Sequence, residues 1–269
     1  MKKILRIILI VLAVIFALGG ISTLQESKGA AITGFVFAAL FTFLFFKLKP
    51  RVGTVNMSGG NSKKNAKAEL LDFLKTKPKT IIVLDLETNG LKEGKSVLAV
   101  GAIKYDIDEN NTLAEKERFV RYYFAREREE PNAIIINGLT KKKIEELRGE
   151  NCTYPKYFYE DFGTFTDFCA NCSHYVIFNA KFDMQFIKHA EDVAEYDWHI
   201  FDPMITNADI MRLNWSDSRQ SYKYPTLKEA LDFYGIERKS SKLHSADYDA
   251  EMTTAIFKEM LKRAGLSKV

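Results

Sequence analysis

The chain has 269 residues, enough for one large domain or two modest ones. Apolar residues make up 46% and charged residues 28%, which excludes global disorder; three cysteines, Cys152, Cys169 and Cys172, exclude a disulfide-stapled mini-fold. The net charge of +4 hides a segregation, with +3 on residues 1–46, +7 on residues 47–79 and −6 on residues 80–269. An acidic main domain that handled a polyanion would need something to invert its local charge, and metal ions do that.

Residues 7–25 and 29–46 carry no charged side chain. Each is close to the length that crosses a bilayer core of roughly 30 Å, so residues 1–46 are expected to form two transmembrane helices joined by a tight turn. Lys2, Lys3 and Arg6 precede the first span and Lys47, Lys49 and Arg51 follow the second, with only Lys28 between them. The positive-inside rule then places both termini, and with them the main domain, in the cytoplasm at the cell membrane. A cleaved signal peptide is the alternative for the first stretch, but the second would still anchor the chain. Residues 47–79 read as a basic linker rich in Gly, Ser and Lys, suited to contact with anionic lipid or simply solvated. A short amphipathic helix over residues 66–76 leads into the globular part.

Residues 80–269 are expected to form an α/β domain. Residues 81–87 are a continuous β-branched run ending in acids, the mark of a strand buried on both faces. Asn89-Gly90 marks a turn, and residues 97–105 and 119–124 are two further strands of a meander. Helices are expected over 140–148, capped by Thr140, and over 159–172 and 180–190, with a short strand at 175–178. Thr226 caps a helix that Gly235 closes, and a last helix runs from about residue 245 to 263. Strands first, then alternating elements, indicate a sheet with helices packed on it. Cys169 and Cys172 form a lone C-x-x-C on a predicted helix; without a second pair of ligands it does not make a zinc site.

Four acids stand where an apolar face is expected. Asp85 and Glu87 are two apart on a strand and so point to one face, which they share with Ile81 and Val83. Asp183 interrupts the stripe Phe182, Phe186, Ile187, Ala190, and Asp249 the stripe Met252, Thr253, Ile256, Met260. An unpaired buried carboxylate costs several kcal/mol, and a helix dipole could offset it for one aspartate alone. For four acids meeting in one place, two divalent cations of the magnesium or manganese type supply the neutralisation. His244, just ahead of the last helix, is an imidazole that could take a proton from water beside such a cluster.

Asp85-Leu86-Glu87-Thr88-Asn89-Gly90, Asn179-Ala180-Lys181-Phe182-Asp183 and His244-Ser245-Ala246-Asp247-Tyr248-Asp249 occur in that order. Together they resemble the three motifs of the DEDDh family of 3′–5′ exonucleases, over about residues 80–263. Ile136-Asn137-Gly138-Leu139-Thr140 and the segment from Leu227 to Gly235 resemble family segments between the motifs. The resemblance implies a ribonuclease H-like fold with a mixed five-stranded sheet flanked by helices. It makes Asp85, Glu87, Asp183 and Asp249 the ligands of two Mg2+ or Mn2+ ions and His244 the general base. Thr88, Asn137, Gly138 and Asn179 would contact the terminal nucleotide, while Asp247 falls off the ligand position. Phe178 stands where the family often has His, and Ala99 where many members have Glu. The implied reaction is two-metal hydrolysis of single-stranded DNA or RNA 3′ ends to nucleoside 5′-monophosphates. The alternative is a membrane-tethered module of the same fold that binds without catalysis. Twenty Phe and twelve Tyr offer rings for base stacking, though most belong in a core.

Overall fold

The computed structural model describes residues 56–57, 66–190, 198–218, 220–239 and 244–268, all within one unit, Gly53–Val269. The apolar stretches 7–25 and 29–46 and most of the basic linker lie outside the described residues. Among the described residues no helix is long and apolar enough to cross a membrane.

The chain begins with β1 (Asn56–Met57), α1 (Ala66–Leu74), β2 (Thr80–Thr88), β3 (Val97–Ile107) and β4 (Leu113–Tyr122). Two short helices, α2 (Pro131–Asn137) and α3 (Lys141–Arg148), lead to α4 (Phe158–Phe168). Then come β5 (His174–Val176), α5 (Ala180–Ala190), β6 (His199–Phe201) and α6 (Pro203–Met211). A small hairpin of β7 (Trp215–Ser216) and β8 (Ser221–Tyr222) precedes α7 (Leu227–Tyr234) and α8 (Ala246–Arg263). The main sheet has the order β1-β6-β5-β2-β3-β4. β6, β5 and β2 run parallel, and β2, β3 and β4 antiparallel, giving the expected mixed five-stranded core. The two-residue β1 pairs parallel with β6 and adds a sixth strand that the sequence does not announce.

Why β2 sits centrally follows from its residues. Ile82, Leu84 and Leu86 turn to one side, where they meet Phe158, Phe162 and Phe165 of α4 and Phe186 of α5. Ile81 and Val83 turn to the other, against Leu231 of α7 and Ile256, Phe257 and Met260 of α8. A strand with two apolar faces needs cover on both, and each large side chain so buried contributes about 1.5–3 kcal/mol. α1 joins the second layer: Leu70 is fully buried, and the Phe73 ring lies 5.6 Å from Phe201 and 5.9 Å from Phe257. The folded body therefore takes in residues 66–79, ahead of the expected boundary at residue 80.

Several expected bounds shift for physical reasons. β4 starts at Leu113 rather than 119, through the charged run Glu115, Lys116, Glu117 and Arg118. It is an edge strand with these side chains exposed, and charge there discourages pairing with another chain. α4 ends at Phe168, not 172, because Asn171 adopts a left-handed backbone (φ 62°) just beyond it. Cys169 and Cys172 thus leave the helix; both are buried, and burial pushes the Cys169 thiol up to about 12. The caps at Thr140 and Thr226 form as the sequence indicates, the latter as a reciprocal capping box with Glu229. Helices α2 and α6 were not expected, although Pro131 and Pro203 occupy first-turn positions that proline favours.

Candidate active site

The site is built at the C-terminal end of β2, where the strand stops being apolar. Asp85 and Glu87 continue the face of Ile81 and Val83, so they point toward α8. Asp85 pairs across the sheet with Gly101 of β3, and Glu87 with Ala99. The absence of a side chain at Gly101 is what lets α8 begin here. A Cβ at that position would lie 2.2 Å from both the carbonyl carbon and the oxygen of Ala246. The first turn of α8 therefore rests directly on the β3 backbone, and Asp249 in that turn reaches the strand acids.

His244 precedes α8 in a left-handed conformation (φ 65°). That conformation turns its backbone N–H toward the helix, and it donates to Asp249 Oδ2 at 3.1 Å. Ligand atoms of Glu87, His244 and Asp249 all lie within 4.8 Å of one another. The two carboxylates are buried and the imidazole is exposed, so the ring sits at the mouth of the pocket. Asp249 Oδ1 is buried without a hydrogen-bond partner. Asp247, off the ligand position, accepts from Ser245 Oγ instead.

Asp183 enters from α5. Its Oδ1 accepts the Leu86 N–H at 3.0 Å, beyond the point where β5 stops pairing with β2. The start of α5 is held by an acid that the sequence reading overlooked. Asp202 accepts from Asn179 N at 3.0 Å, Ala180 N at 2.9 Å and Met204 N at 2.9 Å. It caps α6 and pins the entry of α5 with the same carboxylate. The signal was present: an Asp directly before a first-turn Pro is a helix-start pattern.

Electrostatically, the four acids form one crowded group. Burial comes first in lifting Asp85 well above the usual carboxylate range, and the charges of Asp183, Glu87 and Asp249 add to it. Burial and the Asp249 charge push Glu87 up to about 8, against a hydrogen bond from Asn137 that favours its ionised form. Asp183 is likewise raised well above its ordinary value by burial, opposed by the Leu86 N–H, and Asp249 is raised to about 6, chiefly by burial. Among the described residues no lysine or arginine forms an ion pair with any of the four. Carboxylate donors with an imidazole beside them, an orphaned buried carboxylate oxygen and uncompensated charge fit a site for divalent cations.

The remaining expected residues surround this group in different ways. Thr88 is buried and its hydroxyl donates to Gly90 O at 2.8 Å. Asn137 Nδ2 donates to Thr88 O at 3.1 Å, its Oδ1 accepts from Leu139 N, and it reaches Glu87, so it fixes the strand end. Gly138 is the exposed, left-handed residue (φ 68°) that closes α2. Asn179 is also left-handed (φ 65°) and partly exposed at the start of α5. Phe178 is packed in the core, and Ala99 lies among Leu98, Leu139, Ile144 and Ala246.

A family model described as an exonuclease domain (RNase T type) matches residues 82–257, a span that contains all four acids and His244. The chain belongs to this exonuclease family. The search of curated proteins returned no match. Among solved structures, a product-bound exonuclease I is similar with a TM-score of 0.50 at 20% identity, over 71% of this chain and 45% of that one. The chain thus spans less than half the length of that exonuclease, and the likeness is one of fold. An exonuclease X bound to 5′-overhanging duplex DNA matches with a TM-score of 0.47 at 16% identity, over 69% of this chain and 93% of the other.

Proposed function

We propose that this exonuclease is metal-dependent, works from 3′ ends of single-stranded DNA or RNA, and releases nucleoside 5′-monophosphates. The observation that carries the reading is the meeting of Asp85, Glu87, Asp183 and Asp249 in one buried pocket with His244 at its mouth. The four carboxylates would hold two divalent cations, which when bound supply the positive charge that activates water and stabilises the leaving oxygen. The exposed imidazole of His244 is free to accept the water proton and pass it to solvent. Its backbone bond to Asp249 ties the base to a ligand, so proton acceptor and ligand keep a fixed spacing. Leu86 N–H and Asn137 orient Asp183 and Glu87 in the same way.

The test is one gel. The full chain is incubated with 5′-labelled single-stranded DNA and RNA and Mn2+. The expected result is a ladder that shortens from the 3′ end and stops with EDTA. His244→Ala is expected to slow turnover by about 10²–10⁴-fold while metal binding persists. A full rate in that variant would remove His244 from the role; no degradation of either polymer would favour a binding module without catalysis. The uncharged stretches 7–25 and 29–46 support anchoring in the cell membrane with the nuclease on the cytoplasmic side. Release of the chain from membranes by alkaline carbonate would overturn that part.

A further inference from the structure

One acid at the start of α8 has no part in the proposed chemistry. Residues two apart on a helix project to nearly opposite sides. Asp249 reaches the strand acids of β2, and Asp247 faces the other way, toward Tyr122 of β4. Tyr122 comes to this turn by strand register. Glu87 pairs with Ala99 of β3 and Ala99 pairs with Tyr122, so the three side chains share one face of the sheet. Tyr122 packs against the cluster that contains Ala99 and Ala246. The first turn of α8 is therefore bracketed, by the β2 acids on one side and by Tyr122 on the other.

Three observations show that this bracket is built. Ser245 stands at the N-cap of α8, where a serine ordinarily accepts a helix N–H, yet its side chain makes no cap bond. Its hydroxyl donates instead to Asp247 Oδ1. Burial first, and then the Asp247 charge, raise the Tyr122 phenol above its ordinary value, while a hydrogen bond with Ser245 opposes them. The Tyr122 backbone is itself fixed: its N–H donates to the Tyr154 hydroxyl at 3.1 Å and its carbonyl accepts from Arg148 Nη1 at 2.6 Å. Next to Ser245, His244 holds a left-handed backbone that a residue with a side chain keeps only when its surroundings impose it. The imidazole is exposed, so packing does not impose it; the bond from His244 N to Asp249 holds one side, and Ser245 offers the other hold.

We propose that Tyr122, Ser245 and Asp247 are positioning residues that aim the His244 imidazole at the carboxylate pocket. Tyr122 is the fixed point on the sheet, Ser245 is the link to it, and Asp247 draws the Ser245 hydroxyl away from capping the helix. The inference rests on the exonuclease reading above and deepens it: the ligands are set from β2 and α5, whereas the base is set from β4. The three residues act through His244, so their loss lowers kcat and leaves KM and cation binding in place.

The experiment is a double-mutant cycle on the full chain, read as single-turnover cleavage of a labelled single strand at saturating Mn2+. Tyr122→Phe and Ser245→Ala are each expected to cut the wild-type rate about ten-fold with KM unchanged. In a His244→Ala background the same substitutions are expected to cost less than about two-fold, because the group they aim is gone. Asp247→Asn, which keeps an acceptor for the Ser245 hydroxyl, is expected to lose less than Asp247→Ala. A wild-type rate in either Tyr122→Phe or Ser245→Ala would overturn the proposal. So would a loss as large without His244 as with it, which is what a general loosening of the fold would give. If the wild type cleaves nothing, the proposed activity fails separately. Hydrogen exchange at the His244 amide then decides the positioning: faster exchange in Tyr122→Phe and Ser245→Ala supports it, and unchanged exchange overturns it.

Discussion

Two of the regions that bury carboxylates do so in opposite ways. Asp161 of α4 is 1% exposed, yet it is fully provided for: Arg121 Nη1 of β4 lies at 2.5 Å and the Tyr123 hydroxyl donates at 2.8 Å. At the end of β2, four acids share one pocket, none of them in an ion pair with a lysine or arginine among the described residues, and Asp249 Oδ1 is buried with no hydrogen-bond partner there. The first arrangement carries its own cation in the covalent chain and serves the fold. The second leaves the positive charge to be supplied from solution, which makes the charge exchangeable and available for chemistry. Burial alone therefore does not mark a functional acid; several buried acids crowded into one pocket, with neither a cation nor a full set of hydrogen-bond donors, do.

Glu87→Gln gives the largest expected effect. It is expected to cut turnover on the order of a thousand-fold, since several kcal/mol of ligand charge leave the pocket. It should also raise the stability of the metal-free protein at pH 8. The folded-state values of Glu87 and Asp249, about 8 and about 6, lie above the ordinary carboxylate range. Through these groups the metal-free fold takes up protons that the unfolded chain releases above about pH 4. Their contribution to stability thus falls as pH rises through about 6 and then about 8. Thermal melts in EDTA from pH 5 to 8 should show a steeper decline in the wild type than in Glu87→Gln, and Mn2+ should reverse most of it. Equal slopes would mean that the fold does not raise Glu87.

Arg121→Met attacks the other region. Stranding Asp161 is expected to destabilise the fold by about 3–5 kcal/mol, read by denaturant titration, and added Mn2+ should not restore it. A rescue by Mn2+ would erase the distinction between the two regions. Gly101→Ala is the mildest of the three. The new methyl meets the Ala246 carbonyl and must lift the start of α8, at a cost of about 1–3 kcal/mol. Because Asp249 and His244 move with that turn, activity should fall further than stability; a variant that loses stability but keeps its rate would show that the close approach does not position the ligands.

The same distinction explains what the sequence could and could not disclose. Asp85, Glu87, Asp183 and Asp249 were legible because each breaks an apolar pattern that a strand or helix otherwise keeps. The β2 run, the Thr226 cap and the Gly235 stop were legible because their signals are local. Asp161 gave no such sign, since its arginine partner stands 40 residues away and only folding brings them together. Asp202 had a local pattern in Asp202-Pro203, but its hold on Asn179 and Ala180 depends on β5 and β6 lying side by side. β4 was half hidden because an edge strand exposes its charges, and without alternation nothing separates it from a loop.

The most direct measurement is a calorimetric titration of the full chain with Mn2+ at pH 8, repeated with Asp85→Asn and Glu87→Gln. The account predicts two binding events in the wild type, accompanied by proton release, and loss of at least one in each variant. Absence of binding in the wild type, or binding that both variants retain unchanged, would contradict the assignment of these carboxylates to a cation site.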